Sequence, residues 1–147
     1  MMERLLEWLA ARLPVKTIGG ECFAIRGPLM QRYKLLRTHW FNLYLHNFLR
    51  SDADRHCHDH PWPYVSLILT KGYIEHTPTG SRRRRAGSVA FRPAEWLHWV
   101  EIGESTWTLV MVFPKRREWG FSTEKGWFPW FRYEAEFPEA CDEARKE

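Results

Sequence analysis

Two histidine-bearing segments carry the residues best suited to chemistry. Three histidines alternate with other residues in Arg55-His56-Cys57-His58-Asp59-His60-Pro61, and a fourth closes the stretch Gly87-Ser88-Val89-Ala90-Phe91-Arg92-Pro93-Ala94-Glu95-Trp96-Leu97-His98. In an extended chain side chains repeat with period two, so His56, His58 and His60 project to one face and Cys57 and Asp59 to the other. Neutral imidazole suits zinc, iron, copper and nickel, and catalytic metal sites combine about three protein ligands with an open position for water or substrate. His98 can add a ligand from the second segment. The plain alternative is a polar edge strand whose imidazoles face water, and the first segment alone leaves the two readings even.

The elements that must position these residues read as short strands. Leu5, Leu6, Leu9 and Leu13, with Trp8 beside them, mark an amphipathic helix over residues 1–13, stopped by Pro14. Core docking or a dimer contact is its expected use. Cys22 to Ile25 is a candidate strand, and Gly27-Pro28 a turn before a second strand, Leu29 to Leu36. Trp40 to Phe48 alternates, with Phe41, Leu43 and Leu45 on one face and Trp40, Tyr44 and His46 on the other, the polar-aromatic face being the candidate interior. Pro61 and Pro63 remove ladder donors and imply a bulge or edge just after the histidines. Tyr64 to Thr70 resumes as a strand with Val65, Leu67 and Leu69 on one face, and Trp107 to Phe113 is the last clear strand. About eight to ten strands are expected, which fits a small antiparallel double-sheet barrel.

Composition agrees with one compact domain. The chain has 147 residues, 44% of them hydrophobic and 16% aromatic, which is globular rather than disordered. No apolar run reaches the roughly 18 residues a membrane span requires. The start, with Glu3 and Glu7 among its apolar residues, lacks a secretion-signal layout. Cys22, Cys57 and Cys141 are too scattered for a disulfide framework, so a cytoplasmic setting is expected. Cys57 reads as a small buried hydrophobe on the side opposite the histidines.

The two histidine segments resemble the paired motifs of the cupin superfamily, G-x5-H-x-H-x(3,4)-E-x6-G and G-x5-P-x-G-x2-H-x3-N. Gly87, Pro93 and His98 fall on the second pattern, and His58, His60 and Gly72 on the first. Asp52 stands at the opening glycine, Val65 at the glutamate, Glu95 at the second motif's middle glycine and Ile102 at its asparagine. The resemblance covers residues 40–113. It implies an all-β fold, a cupin-type double-stranded β-helix (jelly-roll) barrel, here with a short N-terminal helix. The barrel is expected over about residues 20–113, followed by an aromatic flap and charged tail over 114–147. The implied metal ligands are His58, His60 and His98, with Val65 unable to ligate and His56 either a fourth ligand or a group behind the others. A register using His56 and His58 ranks second, because it places Trp62 or Pro63 at the glutamate position and loses Gly72. Asp59, Glu75 and Glu95 are the carboxylates available to replace the glutamate. Asp59 should point away by strand alternation, Glu75 is as plausibly surface as pocket, and Glu95 should be solvated.

The net charge of +4 permits an anionic ligand. Arg82 to Arg85 follow an expected hairpin turn at Thr79-Gly80; they could clamp phosphate, but a solvated edge guard is preferred. Nucleic acid is not an expected partner, because no recognisable module or broad basic face is present. The aromatic stretch Trp119 to Phe131 reads as packing rather than a lid. His39, His46 and His76 are expected to be surface or hydrogen-bonded side chains.

Three functions fit. The first is a metal-dependent enzyme, a dioxygenase or hydroxylase by resemblance or else an isomerase, holding an iron or zinc ion and acting on a small molecule in a pocket that Trp62, Trp96 and Trp99 shape. The second is a non-catalytic cupin that binds a small molecule or metal. The third is a metal-free sugar epimerase in which a histidine acts as base and Tyr64 or Tyr73 as acid. Small cupins are often dimers, so a homodimer is part of the expectation.

Overall fold

The computed structural model describes residues 1–19, 27–52 and 56–138. The candidate strand Cys22 to Ile25 and the tail beyond Pro138 lie outside them. The element order is helix α1 (Met2–Ala10), strands β1 (Val15–Ile18), β2 (Met30–Arg37), β3 (Asn42–Phe48), β4 (Cys57–His58), β5 (Tyr64–Ile68), β6 (Gly72–Thr77), β7 (Gly80–Arg85), β8 (Val89–Arg92), β9 (Trp99–Glu101), β10 (Thr106–Val112), β11 (Gly120–Thr123) and β12 (Gly126–Pro129), then helix α2 (Trp130–Glu136). Among the described residues twelve strands stand where about eight to ten were expected. The extra ones are β1 and the hairpin β11–β12. No described helix is long and apolar enough to cross a membrane.

One wall is a six-stranded antiparallel sheet in the order β1-β2-β3-β10-β5-β8. Opposite lie two three-stranded sheets, β12-β11-β4 and β7-β6-β9. The bridge His58↔His98 joins β4 to the chain entering β9, so the two small sheets make a second wall. The walls are not closed into a continuous barrel, and the arrangement is a jelly roll preceded by a helix.

Strand alternation sorts the six-stranded sheet cleanly. On β3, Leu45 faces outward and His46 inward, and both are buried for different reasons. Leu6 and Ala10 lie four positions apart on one face of α1 and cover Leu45 and Trp107 from outside. The helix therefore docks on the outer face rather than filling the interior, and Leu5 and Trp8 remain exposed. The inward face of β10 carries Thr106, Thr108, Val110 and Val112; all four pair with β3, and the last three also with β5. On the outer face Val65, Leu67, Val89 and Phe91 run cross-strand, the last two exposed.

The aromatic stretch after Pro114 is part of the structure rather than an appendage. β11 pairs with β4, Phe121 opposite His58, and Phe121, Tyr133 and Phe137 form their own buried cluster with Trp119 and Phe128 packed against it. Gly72, where β6 begins, has φ +115, and a Cβ there would meet the Arg84 carbonyl of β7. The closing glycine of the first motif is thus required by backbone conformation and by close strand approach.

Candidate metal centre

His58 and His98 are held side by side by their own backbones. Each donates its N–H to the other's carbonyl, at 2.9 Å and 3.0 Å. His60, two residues further on the same face, is fixed where its backbone N–H donates to the Ala94 carbonyl at 2.9 Å. β4 ends there because Pro61 and Pro63 have no N–H to extend a ladder. The three rings consequently form a triangle, with centroid separations of 5.2, 5.2 and 5.1 Å for His58–His60, His58–His98 and His60–His98. One nitrogen from each ring lies within 4.8 Å of the other two.

The donor set fits a transition metal. His60 Nε2 and His98 Nε2 are 2.9 Å apart. Two metal–imidazole bonds of about 2.1 Å meeting at a right angle place their nitrogens about 3.0 Å apart. Burial lowers the pKa of His60 well below the ordinary histidine value, and the neighbouring His98, His58 and Arg32 lower it further. Burial lowers His98 as well, against an opposing hydrogen bond to Glu75. Both rings are therefore neutral, with lone pairs to offer a metal.

Glu75 decides which lone pair His98 offers. The carboxylate is 2% exposed, and its Oε1 accepts from His98 Nδ1 at 3.1 Å, Arg92 Nε at 2.8 Å and Trp96 Nε1 at 3.1 Å. Oε2 accepts from Arg92 at 2.5 Å and Arg84 Nε at 2.9 Å. Burial alone would raise the Glu75 pKa, but the bonds from His98 and Arg92 outweigh it and hold the acid well below the usual carboxylate range. An ionised Glu75 accepts the Nδ1–H of His98, which leaves His98 Nε2 unprotonated and aimed at His60. Glu75 is thus neither a surface residue nor a substitute ligand; it positions His98 from behind, as carboxylates do for metal-binding histidines. Arg84 belongs to this network, whereas Arg82, Arg83 and Arg85 of the same hairpin do not.

The fourth position is corrected in one respect. Val65 points to the outer face, and Tyr64 is the β5 residue that meets the histidines. Its hydroxyl is 3.5 Å from His98 Nε2 and its ring centroid 4.8 Å from that of His60. Burial, with Tyr73 and Glu75 nearby, raises the Tyr64 pKa well above the ordinary value, so it is a neutral phenol. Strand parity cannot be counted across Pro61-Trp62-Pro63, and the motif spacing to Gly72 points to Val65 instead.

His56 is not brought to the cluster. It shares the face of His58 but lies one repeat away, where Nδ1 is 2.7 Å from the Tyr133 hydroxyl and Nε2 3.0 Å from Glu124 Oε2. Asp59 points away as expected and is buried, accepting from Gly120 N at 2.7 Å and Trp127 Nε1 at 2.9 Å and pairing with Arg117 at 3.1 Å. It ties the β11–β12 hairpin to β4. Cys57 is half-buried and Glu95 exposed. His39 is exposed, and His76 bonds Ser81 and Glu101 on the outer side of β6. Of the three tryptophans, Trp62 enters the cavity wall, Trp96 bonds Glu75, and Trp99 stacks on His76.

The histidine triangle opens into a cavity of about 830 Å³ between the two walls. Tyr64, Tyr73, Phe48, Trp62, Val110 and Val112 give it an apolar and aromatic lining, and Trp119, Phe121 and Tyr133 of the C-terminal segment close one side. Arg32, His46, Ser66 and Thr108 add polar groups. Sequence reasoning missed Arg32 altogether; its signal is the pairing Arg32↔His46, which puts it on the inward face of β2.

With two facing antiparallel walls, the chain has the cupin fold. No protein-family model matches the chain, and no curated protein matches it. Solved structures do. It is similar to a cupin-2 domain from Rhodospirillum rubrum, at 15% identity and TM-score 0.61, over 78% of each chain. It is similar to the polyketide cyclase RemF from Streptomyces resistomycificus, at 14% identity and TM-score 0.63, over 90% of this chain and 93% of that one. The Fe(II) form of HppE matches at 11% identity and TM-score 0.55, over 70% of this chain and 57% of that one.

Proposed function

We propose that the chain is a metal-binding cupin in which His58, His60 and His98 hold one divalent transition metal, iron or zinc, and that it acts on a small molecule as a metal-dependent dioxygenase or hydroxylase. The observation that carries this reading is the triangle of imidazole nitrogens, all within 4.8 Å of one another, at the wall of a largely apolar cavity. A ferrous or zinc ion with three imidazole ligands keeps open positions, which supplies Lewis acidity and, for ferrous iron, a means of engaging dioxygen. The protein's own residues do the remaining work. Glu75 holds His98 in the tautomer that presents Nε2. Tyr64 places a neutral O–H donor beside the same nitrogen. The aromatic lining excludes water and packs a small apolar body. The Fe(II) form of HppE shows that the fold accommodates iron in another protein.

A second reading rests on Tyr64. With its hydroxyl 3.5 Å from His98 Nε2, a phenol and an imidazole stand close enough to serve as the acid and base of a metal-free epimerase. Elemental analysis of protein purified without chelator separates the two. Near-stoichiometric iron or zinc supports the first, and its absence removes it. Turnover assays on metal-loaded protein then divide enzyme from a non-catalytic binder.

A further inference from the structure

Among the described residues, no carboxylate neutralises the charge of Arg32. It lies on the inward face of β2 in a cross-strand row with His46 of β3 and Thr108 of β10, and all three line the cavity. Its Nε donates to His46 Nε2 at 3.0 Å. Since guanidinium only donates, His46 Nε2 must be the acceptor, and His46 is neutral there. Burial, reinforced by the Arg32 charge, holds His46 in that form. Arg32 sits against the faces of Tyr44 and Trp62, its guanidinium carbon 5.2 and 5.9 Å from the ring centroids. Among the described residues no carboxylate pairs with it, and its two Nη groups have no hydrogen-bond acceptor. This contrasts with Arg84 and Arg92, which both close on Glu75.

Thr108 is a second, independent sign. The residue is 1% exposed, and its Oγ1 has no hydrogen-bond partner. Buried polar groups are normally satisfied, and a hydroxyl left without a partner on a cavity wall calls for one from a ligand. Arg32 offers unpaired N–H donors and a positive charge; Thr108 offers one O–H donor. That pair suits a single carboxylate, which takes charge-assisted bonds from both. A doubly charged phosphate would need more cations than this row contains.

We propose that Arg32 and Thr108 form the recognition subsite for the carboxylate of the substrate, an organic acid whose apolar or aromatic body fills the rest of the cavity. The inference rests on the reading of this cavity as the substrate site of the His58–His60–His98 centre. The acid's carboxylate sits on the β2–β3–β10 row, and its body extends across the aromatic lining toward the histidines.

The test is calorimetric titration of the full chain, as purified and after chelator treatment, with phenylacetate, hydrocinnamate and naphthoate, each compared with the alcohol of the same skeleton. The expected result is that at least one acid binds roughly ten- to a hundredfold more tightly than its alcohol in both preparations. Arg32→Met abolishes the preference, Arg32→Lys restores part of it, and Thr108→Val weakens acid binding severalfold. A melting curve distinguishes recognition from mere structure: Thr108→Val should leave stability unchanged or raised, because it removes an unpartnered hydroxyl, whereas a structural hydroxyl would lower it. Equal binding of acids and alcohols, failure of every acid to bind, or an acid preference that survives Arg32→Met overturns the proposal. Metal content measured on the same samples keeps the two readings apart. Acid preference without metal leaves this subsite standing and removes the metal centre; metal without acid preference does the reverse.

Discussion

Replacing Glu75 by glutamine tests whether the carboxylate behind His98 organises the site. The substitution preserves shape and removes the charge. If the amide oxygen keeps the His98 side, the amide nitrogen faces Arg92 and Arg84, which donate at 2.5 and 2.9 Å to Oε2 in the native protein. Two charge-assisted hydrogen bonds are lost, each worth about 1.5–3 kcal/mol, and two guanidinium groups meet a donor instead of an acceptor. Breaking one partner out of a buried ionic network costs about 3–5 kcal/mol. For a domain near this size that lowers the melting temperature by roughly 6 to 20 °C. If the amide flips instead, its nitrogen faces His98 Nδ1, and His98 must change tautomer and lose Nε2 as a ligand. Either outcome weakens the centre, by about ten- to a hundredfold in metal affinity, the usual range for groups that orient a ligating histidine. Chelator competition measures the affinity and calorimetry the melting temperature, with the exposed Glu95→Gln as control. A Glu75→Gln protein that matches the control in both would refute the argument that Glu75 positions His98.

Further outcomes follow from the same geometry. His58→Ala and His98→Ala should each strip most of the metal while His39→Ala, at an exposed position, leaves content unchanged; metal analysis of the three proteins decides. Acid should destabilise the metal-free protein early. His46, His60 and His98 are held neutral by burial, with pKa values lowered from the ordinary 6.5, so between 6.5 and the lowered values the unfolded chain binds more protons and stability falls as pH falls. Glu75 has a depressed pKa, so its contribution is present above the ordinary carboxylate range and is lost only well below it. Melting temperatures should therefore decline from about pH 6.5 downward, before any carboxylate is protonated, and a flat profile to about pH 5 would contradict the assignment of neutral histidines. Gly72→Ala combines a φ of +115 with a Cβ driven against the Arg84 carbonyl, and should destabilise by about 2 kcal/mol or more in denaturant unfolding.

Much of the site was legible because its parts obey simple periods. The spacing to Gly72 selects His58 and His60, and the Gly87-x5-Pro93 spacing selects His98, which the backbone pair His58–His98 then brings together with them. What was not legible lies where periodicity breaks or where a long-range pairing decides. Pro61 and Pro63 interrupt the count, so Tyr64 and Val65 exchange roles. Glu75 was visible as a carboxylate, but its use depends on Arg92, Trp96 and His98 folding onto it from β8 and the loop after it. The sequence Met30-Gln31-Arg32-Tyr33-Lys34 has no alternation to mark an inside face, and only its register against β3 places Arg32 in the cavity. His56 shows the limit of alternation: sharing a face with His58 does not bring a side chain within bonding reach of the same point.

The most direct test of the central claim is anomalous diffraction from crystals of protein purified without chelator, with data recorded above and below the iron and zinc absorption edges. A single anomalous peak bonded to His58, His60 and His98, with His98 bound through Nε2 and its Nδ1 still donating to Glu75, is the result predicted here. No anomalous peak at the three histidines, in crystals of protein that elemental analysis shows to be free of transition metal, would contradict it.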